Sequence, residues 1–191
     1  MRFLLKIIVG ITGASGTVYG QMLLNKLQQL TAQIADCRVI FSSTAKQVWE
    51  YELQNKAFTN IPFTVHEPDD FFAPFASGSS SYDAMIICPC SMGTLGRIAA
   101  GTSGDLLTRA ADVMLKERKK LLLVTRESPL SLIHINNMKT VTEAGGIIFP
   151  ASPSFYNRPQ NIDELVATII DRVLLHVGFD MEISAWGSKE H

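Results

Sequence analysis

Leu4-Leu5-Lys6-Ile7-Ile8-Val9-Gly10-Ile11-Thr12-Gly13-Ala14-Ser15-Gly16 runs from a short apolar segment straight into a glycine-rich turn. Leu4 to Val9 reads as a buried strand. It resembles a secretory leader only superficially, because the run ends at once in glycine and no cleavage-type stretch follows. From Gly16 to Leu30 the period becomes helical, with Tyr19, Leu23, Leu24 and Leu27 on one face. A strand, a small-residue turn and a helix together open a βαβ unit.

The alternation continues outward from there. Cys37 to Phe41 reads as a second strand and Thr44 to Leu53 as a helix. Residues 57–82, rich in Pro, Ser, Gly and Phe, read as a long loop of the kind that serves a function or an interface. Ala84 to Ile87 is predicted as a third strand, ending at Cys88-Pro89-Cys90, with helices over Gly93–Ala100 and Leu106–Arg118 after it. Leu121 to Val124 is the fourth strand, Leu132 to Ala144 a helix closed by Gly145-Gly146, and Ile147 to Phe149 the fifth strand. The last helix, Ile162 to Val177, starts on the N-cap pattern of Asn161 and Glu164. Apolar strands separated by helices imply a parallel sheet covered on both faces. Right-handed crossovers then make a three-layer, doubly wound, Rossmann-like α/β domain.

The chain has 191 residues, 47% of them hydrophobic and 18% charged, with net charge -1. That suits one domain over 1–191. It is too little basic for a nucleic-acid surface and too little acidic for disorder. No apolar run reaches the roughly 18 residues of a membrane span. Cys37, Cys88 and Cys90 form no even framework of disulfides, so a reducing, cytoplasmic setting is expected. The tail from about 178 to 191 is expected to fray or to dock on a neighbouring subunit through Trp186.

In such sheets ligands bind outside the carboxyl ends of the strands. The first turn, Gly10 to Gly16, is spaced neither as a dinucleotide fingerprint nor as a Walker loop. It admits two readings, a phosphate or nucleotide cradle at a helix start and a tight turn that simply needs glycine. Ser91-Met92-Gly93-Thr94 repeats the pattern after the third strand, where the plain alternative is a helix cap. Two such turns at one edge favour the cradle, and Ser42 and Ser43 add hydroxyls between them. Cys88-Pro89-Cys90 reads as buried thiols, because a lone Cys-x-Cys without a second pair is a weak metal signal. No metal site is expected.

The cations are less decisive. Arg109 and Lys116 share a helix face with Asp112 between them, which a surface ion pair would also explain. Arg126 and Glu127 end the fourth strand, Tyr156 lies in the next loop and Arg172 in the last helix. Together they suggest a second anion site beside the first.

Several strings, taken in order, resemble the UbiX/Pad1 flavin prenyltransferase family. They are Thr12-Gly13-Ala14-Ser15-Gly16, Ala76 to Ser80, Cys88-Pro89-Cys90-Ser91, Arg109 to Val113, Leu115 to Arg118, Arg126 to Leu130, His134 to Met138 and Phe155 to Gln160. The match reaches from the first strand to near Trp186, and its joint order makes it specific. It implies a flavodoxin-like subunit of a dodecamer with flavin mononucleotide (FMN) held between subunits. It implies transfer of a dimethylallyl group from dimethylallyl monophosphate to reduced FMN, at N5 and then C6, without a metal. The prenylated FMN would serve a UbiD-type decarboxylase.

Carried over by position, Gly13, Ala14, Ser15, Ser42, Ser91, Thr94 and Arg126 line the flavin site. Lys116, Glu127, Tyr156 and Arg172 hold the prenyl phosphate, with Arg109 close by. Glu52 falls near the reacting flavin edge, so Ser15, Glu52, Lys116 and Glu127 are the expected catalytic groups. The cations and Tyr156 would stabilise the leaving phosphate, while Ser15 and Glu52 relay protons. The family often has a large apolar side chain in the long loop, and here Phe71 and Phe72 compete for that place. The rival reading is an FMN-dependent cysteine decarboxylase. It relies on a catalytic histidine and an Asn-rich turn after the third strand, where this chain has Cys-Pro-Cys-Ser-Met-Gly-Thr. A passive flavin carrier would not need the cations.

Overall fold

The computed structural model describes residues 4–181. Its strands are β1 (Leu5–Ile11), β2 (Ile34–Phe41), β3 (Thr64–His66), β4 (Ala84–Cys90), β5 (Lys120–Thr125) and β6 (Ile147–Pro150). Its helices are α1 (Thr17–Gln29), α2 (Ala45–Leu53), α3 (Met92–Ala99), α4 (Leu106–Lys116), α5 (Leu132–Glu143) and α6 (Ile162–Val177). The strands form one sheet in the order β3-β2-β1-β4-β5-β6, and each pairing is parallel. This is the doubly wound architecture expected from the alternation of strand and helix.

Period-two geometry divides β1 between two cores. Ile7, Val9 and Ile11 pack on one face with Leu23, Leu27 and Trp49 and with Ile170 and Val173 of α6. Ile8 points the other way, with Leu95 and Ile98 of α3, Leu107 and Met114 of α4 and Val141 of α5. On the first face Phe41, Trp49 and Phe58 meet edge-on or tilted, at centroid distances of 5.8–6.2 Å.

Several local expectations change. Thr64–His66, inside the stretch read as a loop, is a short edge strand on β2. Only His66 of its three residues is even partly buried, so it carried no apolar signal. β4 does not stop at Ile87 but runs to Cys90, with a register shift between the two. Proline in a strand read as a stop, whereas here it sits at an irregularity that tolerates it. α4 ends at Lys116, and Arg118 lies beyond it in the left-handed region at φ 55°. α6 has the expected bounds, with Asn161 Oδ1 accepting the Glu164 N–H at 2.9 Å. Phe179 is buried against the first core, while Trp186 lies outside the described residues.

Candidate active site

The strand order reverses between β1 and β4, so the crevice favoured by ligands opens at their carboxyl ends. Thr12 stitches the two turns there. Its buried hydroxyl donates to the Pro89 carbonyl at 2.7 Å and accepts the Ser91 N–H at 2.8 Å. The Ser91 hydroxyl donates to Thr94 Oγ1 at 3.0 Å and accepts the Thr94 N–H at 3.2 Å, which caps α3. Gly13 must be glycine for a local reason. A Cβ there would lie 2.2 Å from Thr44 Oγ1, so the turn presses its backbone onto the start of α2.

Gly16 caps the start of α1, and its φ of 102° suits glycine. Its free N–H groups are met by Glu52, projecting from α2. The carboxylate accepts from the N–H groups of Gly16 and Thr17, each at 2.9 Å, and from the Thr17 hydroxyl. Partial burial alone would raise this carboxyl. Hydrogen bonds from the Ser15 and Thr17 hydroxyls and from the backbone outweigh it and hold Glu52 below the usual carboxylate range. Arg126 closes the turn from the other side, its Nε donating to the Ser15 carbonyl at 2.8 Å.

Beside this turn is a cavity of about 560 Å³ at the carboxyl ends of β2 and β3. Phe41, Ser42, Lys46, Phe71 and Asp105 are among the residues that line it. Of the predicted flavin contacts it takes in Ser42 alone. The Ser42 hydroxyl is buried and has no hydrogen-bond partner among the described residues, which leaves it available to a ligand. A cavity with aromatic wall, an orphaned hydroxyl and an ammonium at its rim fits a flavin ring. Phe71, Phe72 and Phe75, close together in the long loop, have separate fates. Phe71 walls the cavity, Phe72 is 99% exposed and Phe75 is in the core.

Of the residues expected in the second anion site, Lys116 stands apart along the sheet. Arg109 sits in the first turn of α4, 3.7 Å from Asp112, as the surface-pair alternative requires. Glu127 follows β5 at the ligand edge and accepts its neighbour Ser128's N–H at 3.1 Å. Tyr156 is exposed in the loop after β6. The Arg172 guanidinium lies 5.8 Å from the Phe149 ring centre. Lys116, however, ends α4, just before β5 begins at the amino edge of the sheet. Eleven helical residues, roughly 16 Å, separate that edge from the ligand edge. There Lys116 Nζ pairs with Glu117 at 2.7 Å and lies against Gly78, where a Cβ would come within 2.3 Å of it.

Reading by motif missed Thr12, Thr17 and Thr44, whose partners are distant in sequence. It also gave no role to the Ser77–Ser80 turn beside Lys116, although Ser80 Oγ is buried without a partner among the described residues. The run of serines was a visible signal. Cys88 and Cys90 are fully buried, and burial pushes both thiols up, Cys90 to about 12. Among the described residues no group of three or more His, Cys, Asp or Glu side chains is placed to hold a metal ion.

Residues 4–174 match the family model named Flavoprotein, so the doubly wound fold and its crevice are those of a flavoprotein. The chain is 41% identical over 187 residues to flavin prenyltransferase UbiX of Methanocaldococcus jannaschii, which spans 96% of this chain and 100% of that one. AnUbiX, crystallised with FMN and dimethylallyl pyrophosphate, superposes with TM-score 0.89 at 38% identity, over 96% of this chain and 99% of its own. A dodecameric FMN-dependent Ubix-like decarboxylase from Escherichia coli O157:H7 gives TM-score 0.88 at 40% identity, over 92% and 96%. Peptidyl-cysteine decarboxylase EpiD, at TM-score 0.63 and 17% identity, shares the fold alone. Within the flavoprotein class, this chain belongs to the UbiX flavin prenyltransferase family.

Proposed function

We propose that the chain is a flavin prenyltransferase that joins a dimethylallyl group to reduced FMN. The allylic C–O bond to phosphate breaks and C1 of the allyl group bonds to flavin N5, which loses its proton. The remaining alkene then takes a proton at C2, and its C3 bonds to flavin C6, which gives up its own proton. The departing phosphate takes the one proton released overall. The observation that carries this reading is identity of 41% and 43% over 96% and 91% of the chain to flavin prenyltransferases. The cysteine-decarboxylase alternative has only a shared fold behind it.

The residues fit the roles given to them. The flavin ring enters the cavity between Phe41 and Phe71, meeting the orphaned Ser42 hydroxyl, with Gly13, Ala14, Ser91, Thr94 and Arg126 around the adjoining turns. Glu52 starts the reaction ionised, since its hydrogen bonds favour the charged form. It is a base in waiting, and its hydrogen bond from the Ser15 hydroxyl gives a path for the proton lost on ring closure. Lys116, Arg172, Arg109 and Tyr156 neutralise the departing phosphate, beside Glu127. Because Lys116 lies at the far edge of its own sheet, the phosphate pocket needs a second copy of the chain. The dodecameric relative and the apolar side chains Leu132, Ile133 and Phe155, each about 70% exposed, support such an assembly. Delivery of the product to a UbiD-type decarboxylase and a place in the cytoplasm complete the proposal. Three unpaired cysteines suit a reducing compartment, and no helix among the described residues is long and apolar enough to cross a membrane.

The test is mass spectrometry of flavin recovered after anaerobic incubation with reduced FMN. One arm supplies dimethylallyl monophosphate and the other the pyrophosphate bound by AnUbiX. A flavin heavier by one prenyl unit in either arm supports the reading, and the productive arm identifies the donor. Unchanged flavin in both arms refutes it.

A further inference from the structure

Arg97 is three residues beyond Thr94 on α3 and belongs to none of the strings considered above. Its guanidinium spans two groups. Nη1 meets Asp105 Oδ2 at 2.5 Å, and Nη2 approaches Thr94 Oγ1 at 3.4 Å. Thr94 is hydrogen-bonded to Ser91, whose N–H is held by Thr12. Asp105 lines the cavity. One chain of polar contacts therefore runs from the carboxyl end of β1, through the Ser91 turn, to the cavity wall.

The segment that this chain of contacts steadies is tied to α3 at its start, and its second half runs on to Asp105. Residues 100–104 join α3 to α4, and a Cβ added at Gly101 or Gly104 would touch nothing within 4 Å. Ala100, Gly101 and Thr102 donate their N–H groups back to the carbonyls of Gly96, Ile98 and Arg97, and past the segment the Leu106 N–H meets the Pro68 carbonyl. Asp105 also caps α4, its Oδ1 accepting from the Thr108 N–H at 2.8 Å. The cavity wall otherwise sets the carboxylates of Glu67 and Asp69 against the ammonium of Lys46. A bare Asp105 would add another negative charge facing an anionic ligand. The Arg97 guanidinium offsets it.

We propose that Arg97 is a positioning residue for flavin, fixing the Ser91–Thr94 turn and the Gly104–Asp105 wall relative to each other. The inference rests on the flavin reading above. Arg97 acts through Thr94 and Asp105 and does not touch the reacting atoms. Lysine cannot replace it fully, because a single ammonium lacks the planar fork that serves two acceptors at once. Arg97 is also 39% exposed on its side chain, so an ordinary surface pair is the competing description, with little effect on anything.

The experiment is FMN titration of the full chain, followed by flavin fluorescence and visible absorption, for wild type, R97A, R97K, D105N and R97A/D105N. The expected result is an FMN Kd raised about tenfold in R97A, the scale of a lost charge-assisted hydrogen bond. R97K falls between wild type and R97A. In the D105N background, R97A adds less than its effect alone, because both act on one wall. The KM for the prenyl donor stays within twofold of wild type, a split that general loosening of the fold would not produce. An R97A Kd within twofold of wild type overturns the inference, as does full additivity with D105N. If R97A does not fold, R97K and D105N carry the same comparison, and wild-type affinity in both overturns it. Wild-type protein that takes up no FMN refutes the flavin reading itself, and the inference with it.

Discussion

The Glu52 carboxylate accepts the backbone N–H of Gly16 at 2.9 Å, although the two residues are 36 positions apart. The start of α1, the natural anion site of the first turn, is thus filled by an anion of the chain itself. Glu52 thus holds the turn, and under the proposed function it would also take a proton.

Glu52→Gln separates these jobs. At neutral pH it should cost about 1–2 kcal/mol, the scale of charged hydrogen bonds at a helix start. The folded state holds this carboxyl below its ordinary value, so its stabilisation is complete above about pH 4.3 and is lost as pH falls through the lowered value. The gap in Tm between wild type and variant should stay constant from pH 7 to about pH 5 and close in more acid buffer. A gap that widens on acidification would show the opposite sign of coupling. In turnover assays the variant should stall after the first carbon–nitrogen bond, and full tetracyclic product would remove the proton role.

Gly13→Ala places a methyl carbon 2.2 Å from Thr44 Oγ1 and 3.0 Å from Thr44 Cβ. A destabilisation of about 1–3 kcal/mol by denaturant titration is expected. Thr44→Ala removes the closer of the two clashing atoms, so the double variant should regain part of the loss. No recovery would place the strain elsewhere.

Phe71→Ala and Phe72→Ala should differ sharply. Phe71 walls the cavity, and its removal is expected to raise the KM for a substrate about tenfold. Phe72 is 99% exposed, so its loss should leave the monomer's stability within about 0.5 kcal/mol. Equal kinetic effects would mean that the cavity wall is misassigned.

Lys116→Ala should lower kcat roughly 10- to 100-fold while FMN binding persists. Arg126→Ala should instead weaken FMN binding. If each phosphate pocket draws Lys116 from a second copy, mixed oligomers of the two impaired variants should regain part of the activity. Mixtures no better than the sum of their parts would confine Lys116 to its own chain's chemistry.

All three thiols should resist a soluble thiol reagent in the native state and react together on unfolding. They are buried, and burial pushes Cys37 and Cys90 up to about 12 and Cys88 higher still. Fast labelling of any one under native conditions would contradict that burial.

The sequence by itself determined the layered architecture, because apolar runs bounded by glycine turns leave few alternatives to a buried parallel sheet. It also determined that hydroxyls of Ser15, Ser42 and Ser91 gather at one edge, since each directly follows a strand whose direction is shared. The edge strand Thr64–His66 escaped, being three residues long and mostly exposed. So did the continuation of β4 through Pro89, where proline reads as an end. Helical spacing put Arg109 and Lys116 on one face, but the direction of α4 across the sheet sends them to opposite edges. Only the tertiary structure decided that, and only it joined Glu52 to the start of α1. Periodicity records which side of an element a residue occupies. How far along the sheet it lies, and what arrives there from 36 residues away, is settled by packing.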